Sequence, residues 1–90
     1  MSLEDPVTRE DLVELSGDDG LLFADGFDAA LLGVMQRCGQ PAVVVYDRDM
    51  CIQVLIEEGM TEDEAEEHFQ FNVEGGWLGE RTPAYLAKPE

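Results

Sequence analysis

Five consecutive residues constrain the fold of this chain most: Ala42-Val-Val-Val-Tyr46, bounded by Pro41 on one side and by Asp47 on the other. β-Branched and aromatic side chains favour a strand, and Pro41 prevents a helix from continuing into the segment. The run is continuously apolar instead of alternating, which is the pattern of a strand buried on both faces. The sequence therefore predicts a central strand with both of its faces covered.

Two helices are predicted after this strand, because start and stop signals surround two apolar stretches. Asp47 is a suitable N-cap for a helix over Arg48–Glu58, which ends at Gly59. Thr61 and Glu64 have the spacing of a capping box, so a further helix begins at about Glu62. The core stripe of that helix and the glycines that end it are Ala65, Phe69, Val73, Gly75 and Gly76.

Three further elements complete the predicted fold. Apolar residues at spacings of three and four predict a helix over Phe27–Arg37, and Gly33 inside it suggests close packing against another backbone. The apolar run Leu21–Phe23 predicts a first core strand over residues 20–24. Ala84–Ala87 lies between two prolines and is predicted to be the last strand, at a sheet edge.

The predicted order is strand, helix, strand, helix, helix, strand, which is typical of an α+β domain. We expect a single small domain over residues 9–88, with a sheet of about three strands packed with three helices. Residues 1–8 are interpreted as a disordered N-terminus or a remnant of an expression tag. At that boundary Thr8 suits the N-cap of a short helical stretch to Leu15, with Asp11 three residues after it.

Acidic residues outnumber basic ones by 21 to 5, which gives a formal net charge of -16 and a pI near 4.1. This charge excludes direct binding to DNA, RNA or anionic lipid. The two helices within Leu55–Val73 are not interpreted as a helix-turn-helix, because the second one is acidic and would repel phosphate. No apolar run reaches the roughly 18 residues of a membrane span, and no secretory signal precedes one, so we expect a soluble, intracellular, cytoplasmic protein.

The acidity has two interpretations, and the sequence leaves both open. A halophilic composition keeps a protein soluble in strong salt through a dense carboxylate surface. A nucleic-acid mimic instead spaces its carboxylates like phosphates, so that they occupy a basic groove on a partner. The densest acidic run has seven acids within eleven residues and no base: Glu57, Glu58, Glu62, Asp63, Glu64, Glu66 and Glu67.

The sequence predicts no cofactor, no metal site and no catalytic residue. Cys38, Cys51 and the single histidine, His68, are too few for the usual structural zinc sites. Cys51 lies on the apolar face of a predicted helix, where a thiol acts as a small hydrophobe. A Cys51–His68 dyad can be drawn between adjacent helices, although nothing in the spacing requires it. The acidic, glycine-containing stretch over residues 17–28 does not match the calcium loop of an EF-hand.

The segment Asn72–Pro83 holds the only tryptophan and three glycines, a composition that often carries binding. Within it we expect Trp77 and Arg81 to make contacts, supported by Asn72 and Glu80. Combined with the acidic helix, the predicted interaction residues are Glu62, Asp63, Glu66, Glu67, Asn72, Trp77, Glu80 and Arg81.

Four segments together resemble a group of small proteins of unknown function from tailed phages, prophages and archaeal viruses, over about residues 23–86. These segments are Asp25–Gly33, Val43–Asp47, Gly59–Phe69 and Phe71–Pro83. The resemblance implies a small viral or virus-derived accessory protein, and it carries no catalytic residue over.

Two hypotheses from different classes follow. The first is a non-catalytic protein that acts by protein–protein interaction, as an accessory modulator with an acidic, nucleic-acid-mimicking face; homo-oligomerisation stays open. The alternative is a small-molecule-binding or hydrolytic domain whose site lies near Asp25, Asp47 and the Trp77–Thr82 loop.

Overall fold

The predicted central strand is the middle strand of a three-stranded sheet. The computed structural model describes residues 7–18, 20–36, 38–76 and 79–89. These residues form a small α+β fold with a three-stranded sheet and three helices, as predicted, although the first helix precedes the first two strands. The helices are α1 (Arg9–Ser16), α2 (Arg48–Glu57) and α3 (Glu62–Phe69), and the strands are β1 (Leu31–Met35), β2 (Val43–Asp47) and β3 (Ala84–Leu86).

The sheet order is β1-β2-β3, with β1 antiparallel and β3 parallel to β2. β3 is therefore an edge strand, as its flanking prolines predicted. Residues that pair across a sheet project to the same face. One face, which we call the inner face, carries Leu31, Val34, Val44, Tyr46 and Tyr85.

All three helices pack on the inner face. Their buried residues, among them Leu12, Leu55 and Phe69, belong to one core cluster together with Val44 and Tyr46. Among the described residues, none on the opposite face, which we call the outer face, belongs to that cluster or packs against it. On the outer face Val43 is nevertheless only 6% exposed and Val45 is half-buried, so the second face of the central strand is partly covered.

Tyr46 is the centre of the core and is fully buried. Its ring stacks on Tyr85 at a centroid distance of 5.7 Å, and Tyr85 meets the ring of Phe69 edge-on at 5.0 Å. The ring of Phe27 meets Phe69 in the same edge-on manner at 6.2 Å. Aromatic pairs of this kind contribute about 0.5–1.5 kcal/mol each beyond their buried area. The cluster thus joins α3, β2 and β3.

The local helix signals of the sequence are confirmed. Asp47 caps α2 by accepting hydrogen bonds from the amides of Asp49 and Met50. Thr61 and Glu64 form the predicted capping box, and Thr8 forms a second one with Asp11 at the start of α1. After α3 the chain continues as one π-helical turn over Gln70–Glu74, so the predicted third helix is regular only to Phe69.

The predicted helix over Phe27–Arg37 is wrong. Residues Asp28–Ala30 form a single 3₁₀ turn, and β1 follows directly. A β-bulge between Leu31 and Gly33 shifts the register, so that Leu31 and Val34 both face the core although they are three residues apart. The bulge thus produces in a strand the spacing that is typical of a helix.

Two further predictions about this half of the chain are also wrong. Residues 20–24 lie in irregular structure, although Leu21 is buried in the core. Gly33 does not approach another backbone, since a Cβ built on it meets no atom within 4 Å. Most of the segment 1–8 lies outside the described residues, and Thr8 is ordered as a helix cap. Among the described residues no helix has the length and apolar character that crossing a membrane requires.

Replacing Asp47 with alanine is expected to lower the free energy of unfolding by about 1 kcal/mol at neutral pH, because α2 loses its N-cap acceptor. Asp47→Asn retains a good cap and should lose only the ion pair with Lys88. Urea unfolding followed by circular dichroism measures both changes. Equal stability of the wild type and Asp47→Ala contradicts the capping role.

The same pair of proteins tests the pH dependence of this carboxylate. Burial raises the pKa of Asp47, but hydrogen bonds from Lys88, Met50 and Asp49 bring it below its usual value of 3.8. A carboxyl group with a lowered folded-state pKa stabilises above its unfolded-state pKa and loses this effect as the pH falls through the folded-state pKa. The advantage of the wild type over Asp47→Asn should therefore fade as the pH is lowered from neutral to below 3.8. An advantage that persists there contradicts this assignment.

Candidate functional site

The basic side chains of this acidic chain are used to join its own elements. Each of the described ones binds a carboxylate that is at least sixteen residues away in the sequence. The pairs are Arg9 with Asp25 and Asp28, Arg48 with Glu66, Arg81 with Asp18, and Lys88 with Asp47. Among the described residues, no ion pair joins Glu57, Glu58, Glu62, Asp63, Glu64 or Glu67 to a basic side chain.

Arg48 forms an ion pair with Glu66, so Glu66 is not an unpaired carboxylate of the surface. Its Nη2 lies 3.1 Å from Glu66 Oε2, and its guanidinium lies over the ring of Phe69 at 5.3 Å. These contacts hold the start of α2 against α3 in a half-buried position, where an ion pair is less screened than on the surface. Glu66, predicted as an interaction residue, thus has a structural role in this packing.

Arg81 is likewise engaged within the chain. Its Nη1 lies 2.8 Å from Asp18 Oδ2, a contact that joins residues 63 positions apart. The backbone amide of Gly20 also donates a hydrogen bond to Asp18. Both hydrogen bonds lower the pKa of the Asp18 carboxyl, and the one from Gly20 has the larger effect. Arg81 therefore fixes the loop before β3 to the turn after α1.

The other predicted acidic residues lie on the solvent side of the helices. Glu62, Asp63 and Glu67 are exposed on α3, and Glu57 and Glu58 are exposed at the end of α2, which packs beside α3. Glu62 and Asp63 lie in the first turn of α3, where the helix dipole favours negative charge. Together with Glu64, which is also exposed, this arrangement places six exposed carboxylates on neighbouring helices.

A groove on the side of α3 that carries Glu64 and Glu67 contains an exposed aromatic ring. It has a volume of about 450 Å³ and is lined by Met60, Glu64, Glu67, His68, Phe71 and Asn72. Phe71 is 75% exposed, although a phenylalanine is among the side chains most often buried. We call this feature, together with Glu57, Glu58, Glu62 and Asp63, the acidic groove.

Asn72 is the predicted loop residue that the structure places in the acidic groove. Its Nδ2 donates to the carbonyl oxygen of His68 at 3.2 Å and lies 3.4 Å from His68 Nδ1. Phe71 was not predicted as a site residue, because a phenylalanine is more often buried than exposed. The available signal was its position four residues after Glu67 and off the core stripe of Ala65, Phe69 and Val73, which places it on the solvent side of the helix.

A second cleft lies on the other side of Asn72. It has a volume of about 320 Å³, and its described lining includes Phe23, Asp25, Phe27, Asn72, Thr82 and Tyr85. Asp25 and the end of the 77–82 loop therefore meet as the alternative hypothesis expected. Asp47 does not join them, because it pairs with Leu86 on the outer face of the sheet. Of the remaining predicted residues, Glu80 is exposed and Trp77 lies outside the described residues.

The two cysteines differ in accessibility. Cys51 is 0% exposed, and its burial raises the pKa of the thiol to about 12, so a thiolate does not form there at neutral pH. This environment disfavours a nucleophilic dyad with His68. Among the described residues no three His, Cys, Asp or Glu side chains are placed to hold a metal ion.

We expect one of the two cysteines to react with an aromatic disulfide reagent in the folded protein. Cys38 is exposed and should react at the rate of a free thiol, whereas Cys51 should react only after unfolding in urea. Cys38→Ser is the matched control and should leave no fast phase. Rapid modification of Cys51 in the folded Cys38→Ser variant would reopen the dyad hypothesis.

Comparisons with family models, with curated proteins and with solved structures give no match to this chain. We therefore infer function from the contacts and charges described above.

Proposed function

We propose that this chain is a non-catalytic protein-binding module that presents the acidic groove to a basic segment of a partner protein. One observation carries the proposal: the described basic side chains are bound to distant carboxylates, while the carboxylates around the exposed Phe71 have no basic partner among the described residues. The acidic groove has unpaired negative charges around an apolar centre. A partner that binds it should therefore present basic side chains around an apolar one.

The charges supply orientation and association rate more than affinity. With a net charge of -16, the chain attracts a basic partner over distances of about one Debye length, which is about 10 Å at 0.1 M salt. Each exposed ion pair adds only about 0.2–1 kcal/mol. The carboxylates of the acidic groove therefore select for a basic partner without fixing it tightly.

Phe71 supplies the anchor that the charges lack. Full burial of a phenylalanine side chain contributes about 1.5–3 kcal/mol, which exceeds any single exposed ion pair. Aromatic residues at the centre of an interface commonly dominate its binding energy, and the surrounding polar residues exclude water. We assign the anchor role to Phe71, with Met60 as its apolar neighbour in the groove.

We propose further that the partner is a nucleic-acid-handling protein of the host cell cytoplasm. The exposed carboxylates of α3, among them Glu64 and Glu67 in the groove, can substitute for phosphates in a basic groove on the partner, which is how a nucleic-acid mimic acts. The resemblance to small phage and archaeal virus proteins supports an accessory protein that modulates such a factor. The acidity would then serve this binding and not salt adaptation alone.

The test compares two variants with equal changes in charge. Glu62→Gln, Asp63→Asn and Glu67→Gln together remove three charges from the acidic groove and leave the Arg48–Glu66 pair intact. Glu10→Gln, Glu14→Gln and Asp49→Asn together remove three exposed charges elsewhere. At about 0.1 M salt the first variant should capture the nucleic-acid-binding partner at least about 10-fold more weakly, and the second should bind like the wild type.

Competition and anchor variants complete this experiment. Duplex DNA should displace the captured partner from the wild type, because both occupy the same basic groove. Phe71→Ala should weaken capture by about 10-fold or more with no change in net charge. Equal capture by both charge variants, or capture that DNA does not compete with, contradicts the mimicry.

A second function is favoured by the aromatic cleft around Phe23, Phe27 and Tyr85. Its volume of about 320 Å³ and its polar rim of Asp25, Asn72 and Thr82 suit a small planar aromatic molecule. An NMR screen of aromatic fragments should shift the resonances of Phe23 and Tyr85 and leave those of Phe71 in place. A screen in which no fragment shifts the two cleft residues removes this candidate.

A further inference from the structure

Helix α3 and the π-helical turn after it carry a carboxylate and an aromatic ring on each of two sides. On the side that packs on α2, Glu66 and Phe69 hold Arg48, with its Nη2 at 3.1 Å from Glu66 Oε2 and its guanidinium 5.3 Å from the centre of the Phe69 ring. On the solvent side, Glu67 and Phe71 line the acidic groove together. Among the described residues, no ion pair or cation–π contact engages either of these two side chains.

The contacts of Arg9 repeat the arrangement that Arg48 shows. The Arg9 guanidinium donates to Asp28 at 2.9 Å and to Asp25 at 3.2 Å, and it lies 4.9 Å from the centre of the Phe23 ring. Two arginines of the described chain are thus each held by a carboxylate and an aromatic ring at the same time. Glu67 and Phe71 offer the same two groups, and the described residues place no arginine on them.

We propose that the acidic groove is an arginine site, in which a partner's arginine stacks its guanidinium on Phe71 and donates hydrogen bonds to Glu67 and Glu64. This inference rests on the proposed function, and it names the side chain that the groove selects on the basic segment of the partner.

Glu64 is held in place at the groove before any partner binds. The amide of Thr61 donates to Glu64 Oε1 at 3.0 Å, as part of the capping box at the start of α3. Hydrogen bonds from the amide and the hydroxyl of Thr61 lower the pKa of this carboxyl below its usual value of 4.5. Glu64 is therefore a positioned and ionised acceptor at neutral pH, which reduces the ordering that binding requires.

The exposed ring of Phe71 favours arginine over lysine. A guanidinium is planar, is weakly hydrated and presents its donors as a fork, so it can cover a ring and bind a carboxylate together. The ammonium of a lysine is a compact, strongly hydrated charge. Phe71 is 75% exposed, and the guanidinium plane with its methylene stem supplies the apolar cover that this ring lacks. The groove volume of about 450 Å³ is within the range of sites that hold small ligands.

Two synthetic peptides of equal charge test the arginine site. Both alternate basic residues with glycine, and one carries four arginines where the other carries four lysines. Each peptide is titrated into the full chain at about 0.1 M salt and followed by NMR. The arginine peptide should bind about 3-fold more tightly or better, and its largest amide shifts should be those of Phe71 and Glu67.

Three variants assign this preference to the groove. Phe71→Leu keeps an apolar side chain without an aromatic face, so the two peptides should bind it with equal affinity. Glu67→Gln should lower the arginine preference, because the guanidinium loses its charged acceptor. Glu14→Gln is the matched control, since it removes the same charge at an exposed position on α1 and should retain the preference.

The arginine site and the proposed function can fail separately. Equal affinity of the wild type for the two peptides, or no binding of either below about 1 mM, overturns the arginine site. So does an arginine preference that Phe71→Leu retains, because the guanidinium then stacks elsewhere. Should Phe71→Leu unfold, a preference that is equal in Glu67→Gln and Glu14→Gln has the same consequence. The proposed function is decided by capture of the partner with the charge variants described above, and it stands if that capture depends on the groove while the peptides bind alike.

Discussion

The buried hydroxyl of Tyr46 is the interaction on which the rest of the structure depends. It accepts a hydrogen bond from the amide of Ala24 at 2.7 Å, so the irregular segment after α1 is fixed to the central strand. The ring below it stacks on Tyr85 and so holds β3, which has only three residues to pair with. A buried hydroxyl without a hydrogen-bond partner would cost about 1–3 kcal/mol. The amide of Ala24 removes this cost, so the hydrogen bond favours close packing of the irregular segment on Tyr46.

The few basic residues of this chain determine which carboxylates are neutralised and which stay unpaired on its surface. A free lysine or arginine on the surface would neutralise nearby carboxylates, but Arg9, Arg48 and Arg81 each lie between two elements and bind an acid there. Two of them also cover an aromatic ring, since Arg9 lies over Phe23 and Arg48 over Phe69. The ion pairs that hold the fold together thus leave the helix surface around Phe71 acidic.

Sequence reasoning succeeded where the determinants are local. The caps at Asp47 and Thr61 depend on residues two or three positions apart, so the boundaries of α2 and the start of α3 were predictable. It failed at β1, where the bulge after Leu31 is set by pairing with Tyr46, fifteen residues away. The contact of Arg81 with Asp18 is equally non-local, because it joins residues 63 positions apart.

The composition of the valine run does not by itself determine what covers each face of the strand. Its composition is that of a strand covered on two sides, which is correct for Val44 on the inner face. Val45 faces outward beside Gly33 and Ala84, and none of these three belongs to the core cluster. Val43 also faces outward and is only 6% exposed, so the central strand is largely buried even on the face that the core cluster does not reach. The valine run thus indicates the central position of β2 correctly, whereas the side on which the core lies is set by the register with both neighbouring strands.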